Sequence, residues 1–273
     1  MRTIAHVSDL HFGREDPRVA TALLRDLEQM APSVVVVSGD LTQRARRREF
    51  AAARDYLARV PAPLVVVPGN HDVPLWDVLA RFTRTFDLYR EYISGDLGPL
   101  FRDDEIAVLG VNTARAMTFK GGRISQAQIA ELHERLSMLP GALFKTVVTH
   151  HQLLPPPGGH LLDRVGRGAR AFSAIEKCGV ELLLAGHLHL GYTGDVRSHY
   201  PFVRRSVLVV LAGTAISTRV RGEPNGYNKI AIDRDCVDVE RRLWDGNAFL
   251  GALVTRFRRL AHEWVQQPAR PGP

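Results

Sequence analysis

Pro68-Gly69-Asn70-His71-Asp72 follows directly on Leu64-Val65-Val66-Val67, and this junction decides the fold. The apolar run, bounded by Pro63 and Pro68, reads as a strand buried on both faces. Gly69 lets the chain turn sharply at the strand's carboxyl end. An amide, an imidazole and a carboxylate then stand together where an α/β sheet places its chemistry. Asn, Asp and Gly are also ordinary turn residues, so the junction gains its weight from four others of the same design.

Thr3 to Val7 is a strand that ends in Ser8-Asp9-Leu10-His11. Val34 to Val37 ends in Ser38-Gly39-Asp40-Leu41-Thr42. Lys145 to Thr149 ends in His150-His151, and Glu181 to Ala185 ends in Gly186-His187-Leu188-His189. Helical segments separate these strands. Asp16-Pro17 opens one that runs to about Met30, with Pro at its first position. Residues 45–60 form a basic helix. Ser125 with Gln128 makes a capping box for a helix to about Met138, and Gly179 stops another after Cys178. Strand, loop and helix in repetition imply a parallel sheet with right-handed crossovers.

Between the third and fourth blocks, residues 75–93 carry Leu75, Trp76, Leu79, Phe82, Phe86 and Tyr89 at helical spacing. The stripe predicts a packed helical insertion over about 75–100. Ile106 to Val111 is a strand ending in Asn112-Thr113. The Pro- and Gly-rich loop 152–168 is long enough to be functional. Beyond His189, Ser206 to Leu211, Tyr227 to Ile232 and Val237 to Leu243 follow one another without helices, which suggests a second sheet of antiparallel or mixed pairing. Residues 247–265 then predict a C-terminal helix with Phe249, Leu250, Leu253, Phe257, Leu260, Ala261 and Trp264 on one face. With no repeat or linker, residues 1–265 read as a single domain and 266–273 as a flexible tail.

A chain of 273 residues with 45% apolar and 24% charged residues is ordinary globular material. Two cysteines, Cys178 and Cys236, give neither a disulfide framework nor a CxxC pair, which suits a reducing, cytoplasmic compartment. The sequence opens on strand-like residues without a signal peptide. No run reaches the ~18 apolar residues of a membrane span. The net charge of +7 favours anionic partners: nucleotides, nucleic acid, anionic lipid or phosphate esters.

Asp9, His11, Asp40, Asn70, His150, His187 and His189 therefore gather at five strand ends. A lone histidine there is more often a satisfied polar residue than a ligand; five such coincidences in parallel-sheet order are a different matter. Carboxylate oxygen, amide oxygen and imidazole nitrogen suit intermediate divalent metals such as Mn, Fe or Zn. Residues at i and i+2 of a strand share a face, so Asp9 with His11, and His187 with His189, can converge if strand geometry persists. The ligands are too many for one tetrahedral ion and about enough for two. By the same alternation one member of His150-His151 should face away, and His150 is assigned inward.

Asp9-x-His11, Gly39-Asp40, Gly69-Asn70-His71-Asp72, His150 and Gly186-His187-x-His189 resemble the five blocks of the calcineurin-like metallophosphoesterases, in the family's order. The blocks span residues 9–189. The resemblance implies an α/β fold: a four-layer α/β/β/α sandwich of two mixed sheets flanked by helices. It implies a dinuclear site in which Asp9, His11 and His189 hold one ion, Asn70, His150 and His187 the other, and Asp40 bridges. His71 then faces the substrate phosphate as a catalytic residue, with Asp72 orienting it or capping the helix at 75. The pattern is most similar to the class III cyclic-nucleotide phosphodiesterases, although Gln152 stands where that branch often has Pro.

The implied function is hydrolysis of a cyclic nucleotide or similar small phosphodiester by a metal-bridging hydroxide. Asn112, Arg219 and Arg221 are candidates for the substrate pocket, Arg because its planar donors suit phosphate. One rival is a UDP-sugar-lipid diphosphatase in peripheral contact with a membrane through the helices at 75–93 and 247–265. Another is a nuclease of the same superfamily, against which stands the lack of aromatic–basic interleaving. A metal-free scaffold would be expected to have lost ligands.

Overall fold

Alternate valines of a single strand face different layers. The computed structural model describes residues 1–155, 165–198, 200, 203–261, 263–268 and 270–271. Within it, Arg2–Val7 (β1), Val34–Val37 (β2) and Leu64–Val66 (β3) are parallel neighbours. Val34 and Val36 pack into one apolar core, Val35 and Val37 into another. The strands are near-continuous apolar runs because both faces are buried.

The outward core of this sheet receives helices Pro17–Met30 (α1) and Arg47–Leu57 (α2) through Val19, Leu23, Leu27, Phe50 and Ala53. Asp16 caps α1 by accepting the N–H of Arg18 at 2.9 Å, with Pro17 at the first helical position, as the sequence predicts. The inward core joins Val34, Val36, Val65 and Val67 to Val108, Val148, Leu182 and Leu184 of a second sheet.

That second sheet holds Leu100–Arg102 (β4), Ile106–Gly110 (β5), Phe144–Val148 (β6), Val180–Ala185 (β7), Tyr192–Asp195 (β8) and Leu208–Leu211 (β9), in the order β4-β5-β6-β7-β9-β8. Its far face packs on Gln126–Ser137 (α5) and Gly168–Lys177 (α6) through Leu132, Leu136, Phe172 and Ile175. Ser125 and Gln128 form the expected reciprocal cap of α5, at 3.0 and 3.1 Å. Helices, sheet, sheet and helices are thus four layers of an α/β sandwich. The βα repeats are divided between two sheets, and the first is completed by late strands. Gly226–Asp233 (β10) pairs antiparallel with β1, followed by Cys236–Trp244 (β11). The strands after His189 therefore do not make a sheet of their own: β9 lies parallel to β7, while β10 and β11 extend the sheet of β1.

The predicted C-terminal helix is a strand. Phe249–Leu260 (β12) pairs with β11 from Trp244 opposite Phe249 to Cys236 opposite Arg258. A spacing of four residues is nearly one helical turn, and it is also two strand repeats. Phe249, Leu253 and Phe257 satisfy both patterns, and pairing with the edge of β11 decides between them. The turn favours the hairpin: Asp245 Oδ1 accepts the N–H groups of Asn247 and Ala248 at 2.7 and 2.8 Å. The register slips between Arg241 and Arg242, leaving Ala252 unpaired. The extra residue swaps faces, so Phe249 lies in the helix-side core and Phe257 between the sheets. Part of the expected flexible tail is also paired: Glu263–Gln266 (β13) and Arg270–Pro271 (β14) both lie along β12.

The insertion over about 75–100 holds two short helices, Val78–Thr83 (α3) and Asp87–Tyr92 (α4). Phe86 and Tyr89 are buried, but Leu75, Trp76, Leu79 and Phe82 are exposed, so only the end of the predicted stripe packs. The fully buried Arg81 takes the interior position of α3. Most of the predicted functional loop 152–168 lies outside the described residues. No helix among the described residues is long and apolar enough to cross a membrane.

Candidate metal centre

The predicted ligands sit just past the carboxyl ends of β1, β2, β3, β6 and β7, where the backbone has already left strand geometry. Asp9, His11, Asp40, His187 and His189 have φ of 54, 47, 54, 73 and 61°. This left-handed region costs a non-glycine residue on the order of 1–3 kcal/mol. Convergence of Asp9 with His11, and of His187 with His189, therefore comes from these turns and not from strand alternation. Two glycines make room. A Cβ on Gly69 would stand 2.1 Å from Asp40 Oδ1, and one on Gly186 would stand 1.8 Å from Ser8 Oγ.

Two clusters result. In the first, His11 Nε2 and His189 Nε2 lie 3.5 and 3.4 Å from Asp9 Oδ1. Their rings are stacked, 5.2 Å apart and 2° from parallel. In the second, His150 Nε2 and His187 Nδ1 each lie 3.1 Å from Asn70 Oδ1. Asp40 stands between the clusters. Its Oδ1 is 3.3 Å from His150 Nε2, and its Oδ2 is 3.7 Å from His11 Nε2.

Outer partners set which ring nitrogen faces inward. His150 Nδ1 donates to the carbonyl of Ser38 at 2.7 Å, and His11 Nδ1 to that of Thr42 at 3.4 Å. His189 Nδ1 meets Thr214 Oγ1 at 2.6 Å. Each bond leaves Nε2 for the centre, the usual arrangement behind a metal-binding imidazole. These supporting groups were not legible beforehand. Every residue has a carbonyl, and the Gly213-Thr214-Ala215 stretch, although reminiscent in sequence of bacterial members of the resembled family, gives Thr214 no definite role until the structure sets it against His189.

The charges agree with a cation site. Burial would raise the Asp9 carboxyl, but the adjacent His11 imidazole and the charges of His189 and His150 hold it well below the usual carboxylate range. Asp40 is likewise held low, against its burial, by His150 and His71. Burial disfavours the charged form of His150, yet Asp40 and Asp9 push it up to about 9. Asp9 Oδ1 and His11 Nε2 are buried with no hydrogen-bond partner, whereas most buried polar atoms have one. These orphaned atoms and the mixed oxygen–nitrogen donor set fit divalent metal ions.

Other predicted residues fall differently. His71 reaches the site: its N–H donates to Asp40 Oδ1 at 2.8 Å, and its Nδ1 to the carbonyl of Gln43 at 2.8 Å. Asp72 does not orient it. The Asp72 carboxylate accepts from the backbone of Leu41, Thr42 and Gly69 at 2.8–3.1 Å and from Thr42 Oγ1 at 3.0 Å. It ties the loop after Asp40 to the turn after β3, and Gln43 orients His71 instead. Nor does Asp72 cap the following helix, since Asp77 does so.

His151 is not turned away. Its ring lies 4.6 Å from that of His187 and 4.8 Å from that of His150, because β6 ends at Val148 and alternation no longer applies. Its Nδ1 meets Thr113 Oγ1 at 2.8 Å. Arg219 lies beside His71, and Arg221 is exposed; burial lowers the His189 imidazole, and the Arg221 charge acts in the same direction to a smaller extent. Asn112 uses its side-chain carbonyl locally, on the N–H of Ala114 at 2.9 Å. It lines a separate cavity of about 400 Å³, with Arg90, Arg115, Gln128 and Arg135, that none of the seven candidate ligands lines.

Comparison with known proteins gives the same direction. A family model described as calcineurin-like phosphoesterase matches residues 2–191. A glycerophosphodiester phosphodiesterase of Enterobacter lignolyticus is 33% identical over 81 residues, 25% of this chain and 29% of the relative. A probable cyclic nucleotide phosphodiesterase of a Synechococcus species is 29% identical over 82 residues, 26% of this chain and 32% of the relative. The chain thus matches about a third of the length of these curated relatives. A purple acid phosphatase from yellow lupin seeds superposes with a TM-score of 0.69 at 11% identity, over 95% of this chain and 54% of that one. At that identity the likeness concerns the fold.

Proposed function

Since the chain belongs to the calcineurin-like phosphoesterases, we propose that it hydrolyses a small phosphodiester, a cyclic nucleotide or a compound of similar size, at a centre for two divalent ions. The observation that carries this reading is the placement of Asp40, with one carboxylate oxygen toward each histidine cluster. Asp9, His11 and His189 would hold one ion, and Asn70, His150 and His187 the other, with Asp40 shared. Manganese, iron and zinc all suit this donor set. Bound there, such ions neutralise phosphoryl charge and activate water as a nucleophile. Support for a diester comes from the relatives named as phosphodiesterases.

The remaining work falls to the chain's own side chains. His71, fixed by Gln43, and Arg219 present nitrogen atoms side by side at the edge of the cluster. Arg219 suits a phosphoryl oxygen through its planar donors. His71 Nε2 is assigned to the leaving oxygen; with Nδ1–H held by Gln43, the ring would have to take up a second proton, at Nε2, before passing it to that oxygen. Arg221 adds positive charge on the exposed side and draws an anion inward.

The test is a panel of cyclic nucleotides, bis-nitrophenyl phosphate, a UDP-sugar lipid and single-stranded DNA, each with added manganese and with chelator. Metal-dependent hydrolysis of a small diester is expected. Protein carrying bound metal that cleaves no small diester would overturn the reading, and preferential cleavage of the lipid or of DNA would replace it by that alternative.

A further inference from the structure

Helix α3 is inside out. Its buried side chain is the guanidinium of Arg81, and its apolar side chains face water. Arg81 donates to the carbonyls of Ala116, Pro74 and Thr118 at 2.7, 2.8 and 2.8 Å and stacks 4.3 Å from the ring of Phe119. It thereby clamps the helix to the segment 116–119. On this two-part platform Trp76, Val78, Leu79, Phe82, Met117 and Phe119 are 54–79% exposed. Scattered exposed apolar residues are normal, but a contiguous group of this kind marks an interaction surface.

The platform is attached to the candidate metal centre at both ends. It begins shortly after the turn Asn70–Asp72, and its second segment follows Thr113, which contacts His151. Its surroundings are basic. The Arg44 guanidinium lies 5.5 Å from the Trp76 ring, the exposed Arg46 and Arg48 follow Arg44 in the chain, and the exposed Arg84 and Lys120 directly follow the two platform segments. Asp77 is the acidic residue of the platform, engaged in capping α3.

We propose that this platform docks the protein on an anionic lipid surface, with the aromatic and aliphatic side chains entering the acyl boundary and the arginines meeting headgroups. Three considerations select this occupant. The apolar side chains stand outward instead of lining a hollow, so a small ligand would leave most of them wet. A two-fold contact with a second copy would set the same basic surface against itself. Trp and Phe flanked by Arg and Lys is the composition of an interfacial anchor.

The full chain should sediment with vesicles of phosphatidylglycerol and phosphatidylcholine, and poorly with phosphatidylcholine alone. Raising salt from about 0.1 to 0.5 M should weaken binding, as headgroup attraction is screened. The triple variant Trp76→Gln, Leu79→Gln, Phe82→Gln should lose about 10²-fold in partitioning, the scale for withdrawing three large apolar side chains. The double variant Met117→Gln, Phe119→Gln should show a smaller loss on an independent segment. All five positions are exposed, so turnover of dissolved bis-nitrophenyl phosphate should be unchanged. Vesicle binding is read without reference to catalysis, and its outcome is separate from that of the proposed function. Absence of wild-type protein from the anionic vesicle pellet would overturn the proposal, as would equal binding by both variants. A concentration-dependent dimer abolished by the triple variant would assign the platform to a second copy instead.

Discussion

Arg219 Nη1 lies 3.2 Å from His71 Nε2, across 148 residues of sequence. The His71 ring in turn meets that of His11 at 4.8 Å and 88°. His71→Ala should leave metal content unchanged and lower turnover by roughly 10²–10⁴-fold, the scale of acid–base assistance. The loss should shrink for nitrophenyl esters, whose leaving groups need little protonation. Equal losses on nitrophenyl and alkyl esters would leave His71 a phosphate-binding role only. Arg219→Met should raise KM and lower kcat for both ester types alike.

Asp40 is the residue common to both clusters, so its loss should be the most damaging single change. Asp40→Ala is expected to abolish activity and to lower the content of both ions, read by elemental analysis after manganese loading. A variant that kept two ions and near wild-type turnover would show that the carboxylate is not shared.

His150 and His151 both contact His187, yet only His150 also faces Asp40 and Asn70. His150→Ala should lose one equivalent of metal. His151→Ala should keep both and show a milder loss of turnover, the outcome expected of a ring that braces His187 and Thr113 instead of holding an ion. Loss of an equivalent from His151→Ala would make it one.

Stability should decline with acid partly through His6. This residue is fully buried, with Nε2 3.0 Å from Ser38 Oγ and Nδ1 3.4 Å from Asn228 Nδ2. Burial pushes it down to about 3, against the pull of Asp9. Above the ordinary histidine pKa the neutral ring is present in folded and unfolded chains alike. Between about 6.5 and 3 the unfolded chain binds a proton that the folded one refuses, so stability falls as pH drops through that window, by up to about 1.4 kcal/mol per pH unit. Chemical denaturation at pH 7 and pH 5 should show a smaller difference for His6→Gln than for wild type. Identical pH slopes would refute the assignment.

Arg81 should be a stability residue despite its position in a short exposed helix. Arg81→Met leaves three carbonyls without their donor, at a cost on the order of 2–3 kcal/mol. Faster amide exchange at residues 116–119 is the expected signature, and unchanged exchange there would mean that the segment holds itself.

Much of the fold and the candidate site is legible in the chain, and the reasons are local. Val34 to Val37 reads as a buried apolar strand, Gly69 allows a sharp turn after the next one, and a ligand type follows each apolar run. Those features fix the strand ends and gather Asp9, His11, Asp40, Asn70, His150, His187 and His189 in the described structure. What escapes local reading depends on partners distant in sequence. Residues 249–260 carry a spacing that suits helix and strand equally, and the edge of β11 makes them a strand. Asp72 could have turned to its neighbour His71; it turns instead to the amides of Leu41 and Thr42, about thirty residues away. Leu79 and Phe82 have the periodicity of a core, but the inward place on α3 is taken by Arg81, because three carbonyls from Pro74, Ala116 and Thr118 converge there. Periodicity states which side chains share a face. Only the tertiary structure decides which face finds donors, acceptors or apolar neighbours to cover it, since those groups arrive from other parts of the chain.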